Sequence, residues 1–317
     1  MNEPFGEDKA PPALSVVIVA YNSGATLGRC VSALAAQTFA DFELVIVDNA
    51  SPQQEAAPAA QALSGARVIE AGANLGFAGG VNLGAREAQG RWLVLLNPDA
   101  MAQDRTVLDG LGDVMSAPAI PYRGGYQTLD PGDTPEGEVF SPCGAAMMVD
   151  REMFLRLGGL DEGFFCYCED VDFGYRLQLA DEPTLLVPAA VIAHEGSASS
   201  GGPKSEFAVF HGTRNRFWVL VKNTPALLLP VILPLHLLAF AVVSLRPQNR
   251  PLLEVTWKGF KAALAGLGPV WASRRRTQAQ RRVSALQIAR TLTWDPKDLS
   301  GRRAVIRPLR PSRRGAP

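Results

Sequence analysis

Continuous apolar runs alternate with segments of helical periodicity in the first hundred residues. The runs cover residues 14–20, 42–47, 68–70 and 92–96, and apolar residues recur at helical spacing over 26–37 and 79–88. Mainly apolar runs such as 14–20 and 92–96 are typical of parallel strands that are buried on both faces. The pattern therefore predicts an α/β fold, with helices packed on a mainly parallel sheet.

Polar residues follow three of these predicted strands. Tyr21 and Asn22 follow the first, Asp48 the second, and Asn97-Pro98-Asp99 the fourth. Ligands of open α/β sheets bind at the carboxyl ends of the strands, so these positions are candidates for a site. Asp48 is equally compatible with an Asx-turn or a helix cap. Asp99 could reach a divalent cation on a diphosphate, since oxygen ligands suit Mg²⁺ or Mn²⁺, or it could be another turn aspartate.

A glycine-rich segment, residues 74–84, precedes the second predicted helix. Its glycines would let backbone amides approach a phosphate. The Gly-x-Gly-x-x-Gly spacing directly after a strand is missing, which argues against a Rossmann dinucleotide site, and the sequence has no Gly-Lys-Ser or Gly-Lys-Thr of a P-loop.

Three carboxylates lie within four positions in the aromatic segment 164–174: Glu169, Asp170 and Asp172. Like charges this close, partly shielded from water, raise at least one carboxyl pKa, which suits a general base or a group facing a metal. The alternative is a helix start, where the backbone dipole favours acidic side chains.

Two segments are predicted to be loops. Residues 117–140 are rich in Pro and Gly and lack periodicity, and residues 195–203 are rich in Gly and Ser. The first could contact a ligand or move as a lid, and the second could close over a bound ligand. Both are also compatible with plain mobile surface.

The charge divides the chain into two parts. Residues 1–200 carry 10 Lys and Arg against 27 Asp and Glu, a net charge of −17, whereas residues 201–317 carry 21 against 4, a net charge of +17. The basic part includes the uncharged stretch 226–245, roughly long enough to cross a bilayer, although Pro230, Pro234 and His236 weaken a straight span.

If this stretch crossed the membrane once, a cytosolic N-terminal part would leave the C-terminal arginine clusters on the far side of the membrane. That arrangement goes against the positive-inside tendency. We therefore predict a kinked in-plane or re-entrant helix at 226–245 and a second amphipathic element at 257–271, with the arginines on anionic headgroups. A helical packing subdomain or a dimer interface is the alternative. No binding fold or aromatic platform supports nucleic acid as a partner.

Four cysteines in 317 residues give neither a disulfide framework nor zinc spacing, so reduced cytosolic thiols are expected. The acidic N-terminus does not read as a signal peptide. The predicted organisation is a disordered segment at 1–13, a catalytic domain at 14–220 and a basic helical extension at 221–317.

Several motifs in order resemble the inverting glycosyltransferases of family 2, and within them the rhamnosyltransferase-like branch. Together they cover roughly residues 14–220 and are far more specific than any one alone. The matching motifs are Val-Ala-Tyr21-Asn22, Val-Asp48-Asn-Ala-Ser51, the segment from Asn74 to Gly84, Leu-Leu-Asn97-Pro98-Asp99, the segment from Gly158 to Phe165, Glu169-Asp170-Val-Asp172, and the segment from Val187 to His194.

The resemblance implies a GT-A fold, a Rossmann-like mixed sheet flanked by helices, and it implies roles for individual residues. Asp170 matches the general base, with Glu169 and Asp172 as supporting or acceptor-binding groups. Asp99 and His194 match metal ligands, although Asn97 replaces the first aspartate of the family's Asp-x-Asp motif and removes one charge. The donor-binding residues would be Tyr21, Asn22, Asp48, Asn74, Gly76, Asn82, Asn97 and Asp99.

The implied activity is hexosyl transfer with Mg²⁺ or Mn²⁺, from a nucleoside-diphosphate sugar such as dTDP-L-rhamnose to a glycan or lipid-linked acceptor of the cell envelope. We expect the protein to be cytoplasmic and peripheral or monotopic at the inner face of the membrane, with oligomerisation through its C-terminal helices as an option. A glycoside hydrolase would also use paired carboxylates but leaves Asp48 and Asp99 unexplained. The alternative from a different class is a non-catalytic sugar-nucleotide-binding or scaffold protein that keeps the fold.

Overall fold

The computed structural model describes residues 10–101, 108–194, 202 and 204–310. Most of the predicted loop at 195–203 and residues 1–9 of the predicted disordered segment lie outside this range. The strands of the described residues are β1 (Leu14–Ala20), β2 (Phe42–Asp48), β3 (Arg67–Glu70), β4 (Trp92–Leu96), β5 (Ala100–Met101), β6 (Asp113–Met115), β7 (Pro121–Arg123), β8 (Gly137–Val139), β9 (Ala146–Asp150), β10 (Thr184–Leu186) and β11 (Ala193–His194).

The helices surround these strands and then continue alone to the C-terminal end of the described chain. They are α1 (Ala25–Ala35), α2 (Ala56–Ala60), α3 (Gly76–Glu87), α4 (Arg151–Arg156), α5 (Glu169–Ala180), α6 (Glu206–Asn223), α7 (Leu229–Ser244), α8 (Leu253–Ala265), α9 (Leu267–Ala279), α10 (Ala285–Thr291) and α11 (Pro296–Gly301), with 3-10 turns at Glu162–Phe164 and Pro247–Leu252.

The central sheet has five strands in the order β3-β2-β1-β4-β9. β1 to β4 are parallel, and β9 runs antiparallel to β4. Separate apolar clusters cover its faces: one packs α1 and α2 against the sheet, and the other packs α3, α4 and α5. The predicted α/β fold with a mixed sheet is confirmed, because the buried Val, Ile and Leu runs of β1, β2 and β4 need cover on both faces.

The glycines of α3 serve close packing of this helix on the sheet. A Cβ atom added at Gly80 would lie 2.7 Å from a methyl group of Val19, and one added at Gly84 would clash with Val17. α3 also begins at Gly76, three residues earlier than the predicted start at 79. At Gly80 and Gly84, the glycine-rich composition is therefore explained by contact with β1 rather than by the predicted approach to a phosphate.

The segment predicted as a long loop at 117–140 contains two short strands. β7 pairs with β6 in a hairpin, and β8 pairs with β10. The prediction of a continuous loop is therefore wrong at these strands. Strands of three residues leave too short a hydrophobic pattern to detect, and the partner of β8 is also distant in sequence.

The C-terminal helices share a core with the catalytic part. The predicted boundary at residue 220 falls inside α6, which packs against α8 and α9. One apolar cluster joins Phe140 and Tyr175 to Phe217, Ile232 and Ile288. The basic extension is thus built onto the catalytic domain, in spite of its opposite charge.

No single helix in the described ranges has both the length and the apolar composition needed to cross a membrane. The helix α7 and the following residues 247–265 meet that requirement only as a pair bent by 97°. His236 is buried on α7 and its Nδ1 lies 2.8 Å from the carbonyl oxygen of Pro118. The predicted second element at 257–271 is divided between α8 and α9 at Gly266.

Candidate active site

The loops after β1 and β2 lie together at the carboxyl edge of the sheet. The backbone N–H of Asn22, beside the half-buried Tyr21, donates to Ser51 Oγ at 3.0 Å. Glu55 accepts from the Ser23 N–H at 2.6 Å and from Ser51 Oγ at 2.5 Å. Burial alone would raise the pKa of Glu55. The hydrogen bonds have the larger, opposite effect, so the pKa is below its ordinary value. Glu55 therefore joins the two loops, a role that its place in the sequence does not reveal.

Asp48 is buried at the end of β2, and one of its carboxylate oxygens accepts from the Ser51 N–H at 2.8 Å. This is the Asx-turn geometry considered from the sequence. This hydrogen bond uses Oδ1 of Asp48. The contact with a sugar-nucleotide donor that the resemblance implies for Asp48 stays a prediction, and it would use the other carboxylate oxygen.

Asn49 connects β2 to the glycine-rich segment. Its Nδ2 donates to Asn74 Oδ1 at 3.0 Å and to the Gly76 carbonyl at 3.1 Å, while its Oδ1 accepts from the Leu75 N–H. Asn74 also accepts from the Gly76 N–H at 2.9 Å. The predicted donor residues Asn74 and Gly76 are thereby held beside Asp48.

Gly76 also meets the acidic segment. It has a φ of +71°, and an added Cβ would lie 2.5 Å from both the ring and the carbonyl oxygen of Phe165. Both the backbone conformation and the space therefore require glycine here. Substitution at Gly76 would push the glycine-rich segment away from the segment that leads to Asp170.

Asn82 is committed to the protein itself. Its Nδ2 donates to the Leu160 carbonyl at 2.8 Å and to Glu162 Oε1 at 3.0 Å, and its Oδ1 accepts from the Leu160 N–H at 2.9 Å. The structure thus gives Asn82 the role of holding the turn at Leu160, instead of the donor contact that the resemblance implied.

Asp99 and His194 are brought together by a two-residue ladder. β11 pairs with β5 so that His194 lies opposite Ala100, the residue after Asp99. His194 Nε2 is 3.3 Å from Asp99 Oδ1 and 3.4 Å from Asn97 Nδ2. The structure therefore brings these three predicted residues into one cluster.

His194 is held from its other side by Asp109, which lies 2.9 Å from Nδ1 through its Oδ2. Burial lowers the pKa of His194, but the hydrogen bonds and charges of Asp109 and Asp99 raise it, to about 9. Sequence reasoning missed Asp109, which lies 85 positions from His194 and outside any recognisable motif.

The side chains around Asp99 could supply some, but not all, of the ligands of a divalent cation. A carboxylate oxygen and an imidazole nitrogen are suitable ligands for Mn²⁺ or Mg²⁺. Within the described ranges, no group of three or more His, Cys, Asp and Glu side chains could hold a metal. Asp99 and His194 would therefore supply two ligands, and diphosphate oxygens and water would supply the others.

Asp170 lies close to the Asn97 backbone. Its Oδ2 accepts from the Gly144 N–H at 2.8 Å and its Oδ1 from the Val171 N–H at 2.8 Å. The residue after Gly144 accepts from the Asn97 N–H at 2.9 Å. The predicted base and the predicted metal ligands are thus connected through one short backbone segment before β9.

Glu169 and Asp172 differ in their surroundings although both are buried. Among the described residues, Glu169 Oε2 has no hydrogen-bond partner, and burial, together with the charges of Asp170 and Asp172, raises the pKa of Glu169 well above its ordinary value. Asp172 is bound by Arg176 at 2.9 Å, and by Lys222 and Asn223 at 2.8 Å. The raised carboxyl pKa expected in this cluster belongs to Glu169, and Asp172 attaches α5 to α6.

The backbone before α5 is strained. Phe165, Tyr167 and Cys168 all have φ between +65° and +71°, an unfavourable region for residues other than glycine. Asn215, fully buried on α6, places its Nδ2 within 2.7–3.0 Å of the carbonyl oxygens of three residues of this segment: Phe164, Cys166 and Tyr167. Asn215 therefore holds the strained segment, and its position in the sequence gave no sign of it.

Arg123 and Asp113 complete the surroundings of the cluster. Arg123 forms a 2.5 Å ion pair with Asp109 and lies opposite Asp113 in the β6–β7 hairpin. Burial, and then the charge of Asp170, raise the pKa of Asp113 well above its ordinary value. The cysteines of the described residues are free thiols, as expected.

Residues 15–118 match the family model described as glycosyl transferase family 2. The protein is a glycosyltransferase whose residues 15–118 match family 2. It is 29% identical over 252 residues to an N-acetylglucosaminyl-diphospho-decaprenol L-rhamnosyltransferase of Mycobacterium tuberculosis. This alignment covers 62% of this chain and 81% of the relative. A Haloferax volcanii protein, the low-salt glycan biosynthesis hexosyltransferase Agl10, is 25% identical over 64% of this chain and 74% of its own length.

The fold of the glycosyltransferase is GT-A. The crystal structure of GalNAc-T7 with UDP, GalNAc and Mn²⁺ superposes with a TM-score of 0.55 at 18% identity. The alignment covers 83% of this chain but 58% of that one, so the glycosyltransferase spans less than two thirds of this neighbour's length.

Proposed function

We propose that this glycosyltransferase moves a hexosyl group from a nucleoside-diphosphate sugar to an acceptor hydroxyl with inversion, using a divalent cation. The observation that carries the proposal is the placement of Asp170 beside the Asn97–Asp99 segment, through Gly144, at the carboxyl edge of the sheet. A leaving-group site and a base are both needed for a single displacement.

In this mechanism, Asp48 would accept a hydrogen bond from the pyrimidine ring, and Asp99 with His194 would hold Mg²⁺ or Mn²⁺. The bound cation would neutralise negative charge that develops on the leaving diphosphate. Asn97 is neutral, so it contributes a hydrogen bond to this cluster but no charge. Because Asn97 replaces a carboxylate, we expect the cation to bind more tightly with the donor present than alone.

Asp170 accepts the proton of the acceptor hydroxyl while the acceptor oxygen attacks the anomeric carbon and the bond to the diphosphate breaks. Two backbone N–H groups fix this carboxylate in place before the acceptor arrives. Burial and the neighbouring charges raise the pKa of Glu169, which favours its protonated form beside Asp170.

The identity of the substrates is proposed from the relatives. The Mycobacterium tuberculosis relative is named for transfer of L-rhamnose to a lipid diphosphate acceptor. We propose dTDP-L-rhamnose as donor and a lipid-linked glycan as acceptor, which places the reaction in synthesis of cell-envelope polysaccharide.

The exposed surface of α7 supports the proposal that the enzyme binds to a membrane. Val231, Leu238 and Val242 are 52–62% exposed along one face of α7, and Leu227 and Leu245 beside its ends are 78% and 68% exposed. Trp257 and Trp271 are half exposed nearby in sequence, and residues 201–317 carry a net charge of +17. An exposed apolar face with basic surroundings is suited to the headgroup region of an anionic bilayer at the inner face of the cytoplasmic membrane.

Transfer activity tests the proposal. With dTDP-L-rhamnose, Mn²⁺ and a polyprenyl-diphosphate-linked N-acetylglucosamine acceptor, the wild type should release dTDP and form a longer glycolipid. Asp170→Asn should lower kcat about 10²- to 10⁴-fold with donor binding retained, since a base is lost and not a donor contact. Asp295→Asn, the same substitution at the start of α11, is the control and should keep full activity.

Two results would contradict this scheme. An active Asp170→Asn enzyme would remove Asp170 as base, and turnover that is unchanged by chelator would remove the cation. A panel of UDP-, dTDP- and GDP-sugars, titrated by calorimetry, identifies the donor if the rhamnose donor does not bind.

Vesicle sedimentation tests the membrane surface separately. The wild type should sediment with vesicles that contain phosphatidylglycerol and not with phosphatidylcholine alone. Leu238→Glu should reduce sedimentation, whereas Leu129→Glu, on an exposed side chain of the catalytic part, should not. Equal sedimentation of both variants, or loss of a dimer by Leu238→Glu without any vesicle binding, would show that α7 has another partner, such as a second copy of the chain.

A further inference from the structure

His194 lies between two carboxylates on opposite sides of its ring. Nε2 is 3.3 Å from Asp99 Oδ1, and Nδ1 is 2.9 Å from Asp109 Oδ2. The His194 side chain is 8% exposed, so water competes little for either nitrogen. The orientation of the ring is therefore set by these two contacts and by Asn97 on the Asp99 side.

The position of Asp109 is itself well defined. The residue before it exchanges two backbone hydrogen bonds of 2.9 Å with the segment 127–128, and Leu111 donates to the Gly124 carbonyl at 2.8 Å. Arg123 forms an ion pair with the same Asp109 oxygen that faces His194. Both the backbone and the side chain of Asp109 are thus fixed from directions that do not involve His194.

We propose that Asp109 is a positioning residue for cation binding, a role that rests on the proposed function. Accepting from Nδ1–H, Asp109 would hold the ring so that Nε2, on the Asp99 side, is the nitrogen that can give up its proton and bind a cation. A carboxylate on the far nitrogen of a ligating histidine commonly orients the ring and strengthens it as a ligand. Asp109 does not touch the substrate, and it acts through His194 alone.

Arg123 gives this arrangement a second consequence. Its guanidinium neutralises part of the charge of Asp109, so the site gains an oriented histidine with little added negative charge. The pKa of Arg123 is raised, because the charges of Cys143, Asp113, Asp109 and Asp170 outweigh the opposing effect of burial, so Arg123 stays charged. We therefore expect Asp109 to matter for cation affinity more than for donor affinity without a cation.

The experiment measures Mn²⁺ affinity by electron paramagnetic resonance, with Mn²⁺ alone and with Mn²⁺ plus dTDP. Asp109→Ala should weaken Mn²⁺ binding about 10- to 100-fold, the usual effect of losing such a partner. Asp109→Asn should weaken it less, because its amide oxygen can still accept from Nδ1–H. Binding of dTDP without a cation should be unchanged in both variants, and Asp295→Asn should match the wild type throughout.

A second readout needs no cation. The chain has three histidines, so the His194 ring signals can be assigned in ¹⁵N-histidine spectra by comparison with His194→Gln. The wild type should show a hydrogen-bonded Nδ1–H that Asp109→Ala loses. This spectrum also separates a local change from unfolding, since His236, buried on α7, should be unaffected.

The outcomes distinguish this inference from the proposed function. If the wild type binds Mn²⁺ and folded Asp109→Ala binds it equally well, the positioning role is wrong and the function stands. If the wild type binds no Mn²⁺ even with dTDP, the proposed cation and this inference are both wrong. Weaker Mn²⁺ binding together with loss of the Nδ1–H signal would establish the role.

Discussion

Lys222 on α6 should contribute more to stability than any exposed lysine of this chain. Its Nζ lies 2.6 Å from Asp161 and 2.8 Å from Asp172, and Lys222 is 2% exposed. Removing one partner of a buried ion pair costs about 3–5 kcal/mol, because the remaining charge is left in a poorly solvated position. Lys222→Met keeps most of the side-chain volume and removes the charge.

The expected loss lies at the lower end of that range. Asp172 keeps Arg176 and Asn223, and Asp161, whose side chain is 27% exposed, keeps Ser273 and a backbone N–H. We therefore expect a loss of about 3 kcal/mol in the free energy of unfolding, which corresponds to roughly 6 °C in Tm for a chain of this size.

Urea unfolding followed by tryptophan fluorescence measures this loss, provided that circular dichroism gives a coincident transition. Lys258→Met is the matched control. Lys258 pairs with Glu254 at 2.7 Å, but both side chains are more than 60% exposed, so its loss should leave the free energy of unfolding nearly unchanged.

A double-mutant cycle with Asp172→Asn isolates the pair. Lys222→Met should lower the free energy of unfolding by less in the Asp172→Asn background, since the substitution then leaves less negative charge without its partner. Equal losses for Lys222→Met and Lys258→Met would refute the view that α5 is held to α6 by buried charge.

Three further predictions concern the base and its surroundings. Gly144→Ala should lower kcat at unchanged fold, because the added Cβ would lie 2.9 Å from Asp170 Oδ2; steady-state kinetics and circular dichroism check this. Burial and the Arg214 charge lower the pKa of His211 to about 4. As the pH falls from 6.5 to 4, His211 therefore takes up a proton in the unfolded chain but not in the folded protein, and the free energy of unfolding decreases. In urea titrations across this pH range, His211→Phe should show a smaller decrease. Asn215→Ala should release the strained segment before α5, lowering both kcat and Tm, and normal activity would contradict its role.

The strands were the most predictable part of the fold. β1 and β4 begin and end at the residues expected from their apolar runs, because burial on both faces leaves a continuous hydrophobic signal. The candidate site followed from the same pattern, since Asn22, Asp48 and Asp99 come directly after strands whose carboxyl ends share one edge.

Residues that hold the site were not predictable in the same way. Asp109 acts on a histidine 85 positions away, and Asn215 acts on carbonyl groups about 50 positions away. Neither contact leaves a period or a local motif in the sequence. Asn82 shows a further limit of sequence motifs, because its place in a matching motif suggested a ligand contact and gave no sign of the hydrogen bonds with which it holds the turn at Leu160.

The return of the C-terminal segment to the catalytic part affects how the protein is made. Arg307 exchanges two backbone hydrogen bonds of 2.8 Å with Glu138, and Arg310 binds both Glu138 and Asp181. These contacts join residues more than 120 positions apart, so ribosomal synthesis must pass Arg310 before they can form. Until then, apolar side chains such as Tyr175 and Phe217 lack part of their cover. The nascent chain is therefore an expected client of chaperones, and the enzyme gains its final structure only after its basic end has been synthesised.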